Sequence, residues 1–436
     1  MQAVYLLDLT LRNVRCFGPE EQTLRLSDAA GRPAQWTVIL GDNGVGKSTL
    51  LQCLVALEPR RHYFRLNLKW PEERPLVELP VNPGDWWRIY RDPTQSGKTS
   101  IHGRAAILEN LKPDSKLQDI LEIVVPTSSD TVSPTRSFGD NEDSRLQEMR
   151  CCSYGATRRM GSAALGRTIE DPAASLFMDD VTLIDAEEWL LVEDYAKRRT
   201  GARLRFERVQ KVLLDLLPDV EDLRIVEAKS NRPQPAIEVK TPYGWVAIND
   251  LSLGYRTMIA WTVDLASRLF ELYSDSPNPL AEPAVVLVDE VDLHLHPKWQ
   301  RELRSHLTTR FPNAQFVVTA HSPLVVQASQ NENIVVLRRE GDHVVIDNDV
   351  ETVRGWRVDQ VLTSDLFGLK TARPPEFDEI IERRNDLLAK PSLNAEDRAQ
   401  LRSLEDQIEE LPAGETPADL EAMEIIRQAA AKLKNR

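Results

Sequence analysis

The sequence predicts an α/β fold around a mixed sheet, and three observations carry the prediction. The stretches Trp36–Leu40, Val285–Val288 and Ala314–Thr319 are short apolar runs rich in β-branched residues, the pattern of strands buried on both faces. The first runs directly into Gly41-Asp42-Asn43-Gly44-Val45-Gly46-Lys47-Ser48 and the helix-forming Thr49–Leu57. The second ends on Asp289-Glu290, at the carboxyl end of a strand, where open α/β sheets place their ligands.

Size and charge narrow the class. A chain of 436 residues can bury a large core and divide into two or three domains. A formal net charge of -14 argues against a generally basic, nucleic-acid-coating surface. Local arginine pairs such as Arg158-Arg159 and Arg338-Arg339 leave nucleic-acid contact open. Cys16, Cys53, Cys151 and Cys152 lack metal-ligand spacing and read as buried, reduced thiols. No apolar run approaches the roughly 18 residues that span a bilayer, and no signal-peptide pattern opens the chain. A soluble cytoplasmic protein without membrane contact is expected.

In chain order, residues 1–57 read as an N-terminal lobe. Val4–Leu11 and Gln22–Leu26 form a hairpin, and the strand Trp36–Leu40 leads into the glycine-rich loop. Loop glycines let backbone N–H groups crowd around a β-phosphate, and the following helix adds its positive dipole end. Lys47 then reaches the terminal phosphates and Ser48 offers an oxygen to Mg²⁺. Gly41, Asn43, Gly44, Gly46, Lys47, Ser48 and Thr49 are therefore the expected nucleotide-binding surface.

Residues 58–150 read as an irregular, proline-punctuated insertion with a mobile loop at 126–146. Within it, Trp86-Trp87 reads as core, and Gly97-Lys98-Thr99 is a decoy because Asp92 stands where a phosphate loop needs its first glycine. Residues 151–250 form a helical and strand-rich lobe. Its helices are Ala186–Arg199 and Arg203–Leu217, followed by meander strands at Leu223–Val226, Ala236–Val239 and Gly244–Ile248.

Residues 251–350 return to the sheet. Leu251-Ser252-Leu253-Gly254-Tyr255-Arg256 opens a helix, the Asp-Glu strand follows, and the strand Ala314–Thr319 leads to His321. Helix Trp299–Arg310 lies between those strands, and Ile334–Leu337 with Val344–Ile346 completes a sheet edge. Residues 351–436 are a charged helical extension with final helices at Asn394–Leu411 and Pro417–Leu433. Adjacent carboxylates are costly unless a cation or a proton transfer keeps them together, so Asp289 is a candidate metal ligand and Glu290 a candidate base for an attacking water. His294 and His296 are spaced as a second metal candidate.

In this order, a phosphate loop, a Leu-Ser-x-Gly helix start, an Asp-Glu strand and a strand leading to histidine, the chain resembles the ATP-binding-cassette superfamily in its soluble SMC-like branch. Asn13-Val14-Arg15-Cys16-Phe17 is similar to that branch's opening Asn-Phe-Arg-x-Phe. The resemblance implies an ABC/SMC-type P-loop ATPase head with a mixed sheet, a helical and strand-bearing insertion and a C-terminal helical extension.

It also implies roles. Lys47 and Ser48 would hold phosphates and Mg²⁺, with Asp289 behind the metal. Glu290 would orient and deprotonate the attacking water, and His321 would act as a switch beside the γ-phosphate. Ser252 and Gly254 would bind the γ-phosphate of a second protomer, Asp292 would join the two sites, and Arg15 would touch the nucleotide. ATP would then be sandwiched in a homodimer, with larger assemblies left open. His294 and His296 become structural, and the Q-loop position is open between Gln147 and Tyr154-Gly155.

A narrower resemblance rests on Tyr154–Arg158, Glu187–Leu191, Leu251–Arg256, Val288–Gln300, Gln315–Val326 and Val358–Leu369. These are similar to the ATPases of bacterial anti-phage systems, the Septu ATPases and their retron-associated relatives. That resemblance implies a sensor that regulates a separate effector nuclease. The sequence lacks the long heptad arms of chromosome-tethering SMC proteins, the nuclease domain of OLD-type relatives and an HNH-like metal cluster, so no intrinsic nuclease is expected. Two alternatives are a repair or recombination ATPase that binds DNA directly and an ATP-gated scaffold with negligible turnover.

Overall fold

The computed structural model describes residues 3–58, 100–112, 115–125, 144–161, 172–196, 202–217, 219–227, 235–329, 333–350, 353, 355–369, 371–388, 390 and 394–409. The tryptophan pair at 86–87, the decoy at 97–99, most of the loop at 126–146 and the final helix at 417–433 lie outside the described residues. The chain forms two compact units, residues 1–361 and 362–436.

The strands of the first unit are, in order, β1 (Ala3–Arg12), β2 (Gln22–Arg25), β3 (Trp36–Gly41), β4 (Ser100–Leu108), β5 (Asp119–Val125) and β6 (Cys151–Tyr154). After them come β7 (Arg159–Met160), β8 (Thr182–Leu183), β9 (Asp222–Val226), β10 (Ala236–Thr241), β11 (Gly244–Ala247), β12 (Ala284–Val288), β13 (Ala314–Thr319), β14 (Asn333–Glu340) and β15 (His343–Asp347). Its helices are α1 (Lys47–Leu57), α2 (Ala174–Phe177), α3 (Ala186–Ala196), α4 (Ala202–Leu216), α5 (Leu253–Leu272), α6 (Pro297–Arg310) and α7 (Pro323–Ala328).

The main sheet has the order β15-β14-β3-β13-β12-β6, parallel throughout except for the antiparallel edge strand β15. Strands β12, β13 and β6 are buried along their whole length, as parallel strands covered on both faces are. Because β3, β13, β12 and β6 lie side by side and run the same way, the segments that follow them leave the sheet at one edge. Those segments carry Lys47, His321, Asp289-Glu290 and Arg158 respectively.

A second, antiparallel sheet has the order β2-β1-β4-β5. In the stretch 58–150 the sequence shows only short strand-like pieces, yet β4 and β5 are regular there: β4 pairs with the sequence-distant β1, and β5 pairs with β4. A bulge between Leu6 and Asp8 shifts the alternation of β1 by one residue. Val4 and Leu6 before it, and Leu9 and Leu11 after it, therefore all face the main core, while Tyr5 and Leu7 join a smaller cluster with Ala106 and Leu108. Buried Gln315 of β13 ties the two sheets together: its amide accepts from the Leu6 N–H at 2.8 Å and donates to the Leu6 carbonyl at 2.7 Å. Each of those buried polar groups is thereby satisfied.

The meander strands form the antiparallel sheet β11-β10-β9. All four cysteines are free thiols. In the second unit, α8 (Asp378–Leu388) and α9 (Ala395–Glu409) are the described longer helices. The latter starts with a reciprocal cap in which Asn394 and Asp397 each accept the other's backbone N–H, at 2.7 and 3.1 Å. Among the described residues no helix is long and apolar enough to cross a membrane.

Candidate functional site

β3 delivers the phosphate loop to the interior of the main sheet, and α1 begins at Lys47. Gly46 caps the helix at φ 90°, and a Cβ there would collide with Cys16 Sγ, so glycine is required twice over. Lys47 is only 7% exposed, and its Nζ donates to the carbonyls of Gly41 and Asp42 at 2.8 Å each. Burial lowers the Lys47 pKa, while Asp289, Glu290, Asp42 and Asp292 act to raise it. The ammonium thus shares one electrostatic cluster with the acids. Asn43 and Gly44 are exposed on the loop. Thr49 is buried on the first turn, where Arg15 Nη1 reaches its Oγ1 at 3.5 Å and Gln52 Oε1 at 3.4 Å.

The acidic pair meets this loop. Ser48 Oγ donates to Asp289 Oδ2 at 2.5 Å, and Thr319 Oγ1 donates to Asp289 Oδ1 at 2.6 Å. The same threonine oxygen accepts the Glu290 N–H at 2.7 Å, so one hydrogen-bonded chain joins α1, β12 and β13. A hydroxyl and a carboxylate beside a phosphate loop form an oxygen donor set that fits Mg²⁺, which keeps water and substrate oxygens as most of its ligands. Among the described residues no group of three or more His, Cys, Asp or Glu could hold a metal ion by itself.

Beyond β12 the chain turns tightly. Asp292 Oδ2 accepts the His321 N–H at 3.0 Å. Gln300 of α6 donates to the carbonyls of Asp292 at 3.3 Å and Leu295 at 3.0 Å, and accepts from Ser322 Oγ at 2.7 Å. His321 itself is exposed. His296 Nδ1 accepts the Lys298 N–H at 3.3 Å and so caps α6, a structural use of that ring.

The signature segment opens α5. Gly254 packs its Cα side against the His294 carbonyl, where any Cβ would clash, so this helix start lies directly on the turn after Asp289-Glu290. Tyr255 packs edge-on against Trp299 of α6 with ring centroids 4.3 Å apart. Ser252 is exposed at the N-cap and makes no side-chain capping bond. By contrast, the N-cap Ser322 accepts the Leu324 N–H at 3.1 Å.

The structure therefore joins Ser48 to Asp289 and Asp292 to His321 by direct hydrogen bonds, and sets Gly254 on the same turn. Of the Q-loop candidates, Gln147 has a side chain outside the described residues, and Tyr154-Gly155 ends β6 beside β12. Sequence reasoning left Thr319 and Gln300 without roles and read Arg158 only as half of an arginine pair open to nucleic acid, whereas it is 3% exposed. Each stands in a stretch that carries the resemblance or ends a strand, but only the order of the strands brings them to the acids.

Residues 8–57 match the family described as AAA domain, and residues 180–327 match the family described as AAA domain, putative AbiEii toxin, Type IV TA system. The chain's homologues are Septu PtuA proteins and retron ATPases. It is 26% identical to the Septu protein PtuA of Bacillus mycoides (strain KBAB4) over 86% of this chain and 46% of that protein. It is 36% identical to the Retron Vc95 probable ATPase of Vibrio cholerae serotype O1 biovar El Tor over 30% of this chain and 24% of that protein. Identity to the Retron Ec83 probable ATPase of Escherichia coli is 30%, over 44% and 34% respectively. The chain thus spans less than half the length of these curated relatives. A similar solved structure is the SMC head domain from Thermotoga maritima, with 14% identity, a TM-score of 0.38 and coverage of 80% of this chain and 100% of that one. With the mixed sheet and its phosphate loop, the AAA-domain matches at residues 8–57 and 180–327 support an α/β P-loop fold.

Proposed function

We propose that this chain binds ATP with Mg²⁺, hydrolyses it to ADP and phosphate, and does so with two copies closed around the nucleotide. The observation that carries the reading is the hydrogen-bonded chain from Ser48 through Asp289 and Thr319 to the Glu290 backbone. It links the helix start that would receive the phosphates to the carboxylate that would activate water.

Phosphoryl transfer needs positioning and charge neutralisation more than covalent chemistry. Lys47 and the first-turn N–H groups of α1 would neutralise the β- and γ-phosphates, with Arg15, Asn43 and Thr49 around them. Bound Mg²⁺ would add further positive charge on the same oxygens, held by Ser48 directly and by Asp289 from behind. Glu290 would orient the attacking water and accept its proton, and His321 would hold the far side of the γ-phosphate. Ser252, exposed at the start of α5, and the backbone at Gly254 would bind the γ-phosphate on the partner copy, and Asp292 would couple the two sites through His321.

The test is phosphate release by the purified chain together with its mass in solution. Mg²⁺ and ATP should produce turnover and a dimer. Glu290→Gln should lower kcat by about 10²- to 10⁴-fold while keeping the ATP-bound dimer. A Glu290→Gln variant that turns over at the parental rate would sink the catalytic reading. From the homology to Septu and retron proteins, the chain's cellular role is regulation of a separate effector nuclease in anti-phage defence. Failure of the two to co-purify, with and without ATP, would remove that assignment.

A further inference from the structure

Glu290 stands in a backbone conformation that its residue type disfavours. Its φ is 47°, in the left-handed region, where a Cβ crowds the backbone and residues other than glycine are disfavoured. Such a conformation persists only where the surroundings over-determine it. Here the two peptide planes that set φ and ψ of Glu290 are held at four points.

Thr319 takes both N–H groups: its Oγ1 accepts from Glu290 at 2.7 Å and its carbonyl accepts from Val291 at 2.9 Å. Arg158 takes both carbonyls. Its Nη1 donates to the Asp289 oxygen, and its Nη2 donates to the Glu290 oxygen at 2.8 Å. Arg158 is itself 3% exposed and held by a further bond from Nη1 to the Gly155 carbonyl at 3.1 Å. The segment is anchored at its other end, where the Tyr154 hydroxyl donates to Asp264 Oδ2 of α5 at 3.0 Å and the Tyr154 carbonyl accepts the Asp289 N–H at 2.8 Å.

An arginine buried this deeply is costly unless its donors are used. Nη1 and Nη2 point at main-chain oxygens while Nε has no hydrogen-bond partner among the described residues, so the guanidinium acts through its two terminal nitrogens on the shape of the strand end. Its planar fork holds the two carbonyls with two separate nitrogens in a fixed geometry, which the single, freely rotating nitrogen of a lysine does not reproduce.

We infer that Arg158 is a positioning residue for hydrolysis, clamping the Asp289 and Glu290 carbonyls so that the Glu290 carboxylate is presented to the attacking water. The inference rests on the proposed ATPase reading of the same site. On this basis Arg158 contributes to turnover through Glu290 and leaves nucleotide binding to the phosphate loop.

The experiment measures kcat and KM for Mg²⁺-ATP with the full chain, its Arg158→Lys and Glu290→Gln variants, and the double variant. Arg158→Lys should lower kcat by about 10- to 100-fold, with KM held within about threefold, because misplacing a reacting group by about 1 Å has that scale of effect. In the Glu290→Gln background Arg158→Lys should cost nothing further, since residues that act as a unit are not additive. Three results would overturn the inference: parental kcat in Arg158→Lys, a rise in KM that tracks the loss of kcat, or an equal further loss in the double variant. If Arg158→Lys and Arg158→Gln both fail to fold, the residue belongs to the fold alone and the inference also ends. An inactive parent chain, or a Glu290→Gln variant at the parental rate, would end the ATPase reading before any Arg158 variant is made.

Discussion

The phosphate-loop end and the signature end of this chain sit on the same turn but differ in how far each is completed by its own residues. At the first, Ser48 is bonded to Asp289, Lys47 is buried against loop carbonyls, and Glu290 is held by Thr319 and Arg158. At the second, Ser252 heads a 20-residue helix with its hydroxyl exposed and uncommitted to the cap, and Leu253 beside it is 51% exposed. A helix start whose own chain already holds its lysine and acids in place is pre-organised for a nucleotide of its own. One that presents first-turn N–H groups and a hydroxyl outward can still take an anion. The difference supports a division of labour in which one end holds the nucleotide and the other meets the nucleotide of a second copy.

The comparison breaks most readily at Lys47. Lys47→Ala removes a buried cation that would make charge-assisted bonds to phosphate, so ATP should bind about 10- to 100-fold more weakly. ATP-dependent dimerisation should disappear with it. Equilibrium binding that stays at the parental affinity would mean that the first end does not hold the nucleotide.

Ser252→Arg probes the second end and should do the converse. ATP affinity should stay within about threefold of the parent, whereas the dimer should need at least about tenfold more protein, since an unpaired charge buried in an interface costs several kcal/mol. Light scattering with ATP and Mg²⁺ distinguishes these outcomes. A Ser252→Arg chain that dimerises like the parent would show that the signature end is not part of the interface.

What could be read from the sequence follows from the range of the forces involved. β13 lies at Ala314–Thr319, where its apolar run places it, and Gly46, Lys47 and Ser48 form a left-handed cap and helix start as a local glycine pattern requires. Helix α6 begins at Pro297, ahead of the Trp299 expected from periodicity, because the His296 ring serves as its cap. The strands at 100–125 are harder to read, since β5 pairs only with β4, and β4 is placed by a non-local pairing with β1 that a bulge interrupts. Gln315 looks like a flaw in a strand until the Leu6 peptide is placed opposite it. Arg158 and Thr319 are quoted in motifs or strand ends, but nothing local says that β6 and β13 flank β12. The clamp on Glu290 is a property of that strand order.

The finest test compares two serines in the same structural position. Ser252 and Ser322 are both N-caps, yet only Ser322 uses its hydroxyl to accept a backbone N–H, and it also donates to Gln300. Replacing a working N-cap serine by alanine costs about 1 kcal/mol, and Ser322→Ala also leaves the half-buried Gln300 oxygen without that donor. Ser322→Ala should therefore lower the stability of the ATP-free chain by about 1–2 kcal/mol in denaturant unfolding. Ser252→Ala should change it by less than about 0.5 kcal/mol, as an exposed substitution away from any bond does. If the two variants lose stability equally, the Ser252 hydroxyl is already committed within its own chain, and the signature end is as complete as the phosphate-loop end. If Ser252→Ala is neutral in stability but weakens the ATP-dependent dimer, that hydroxyl acts only when a second copy brings its phosphate.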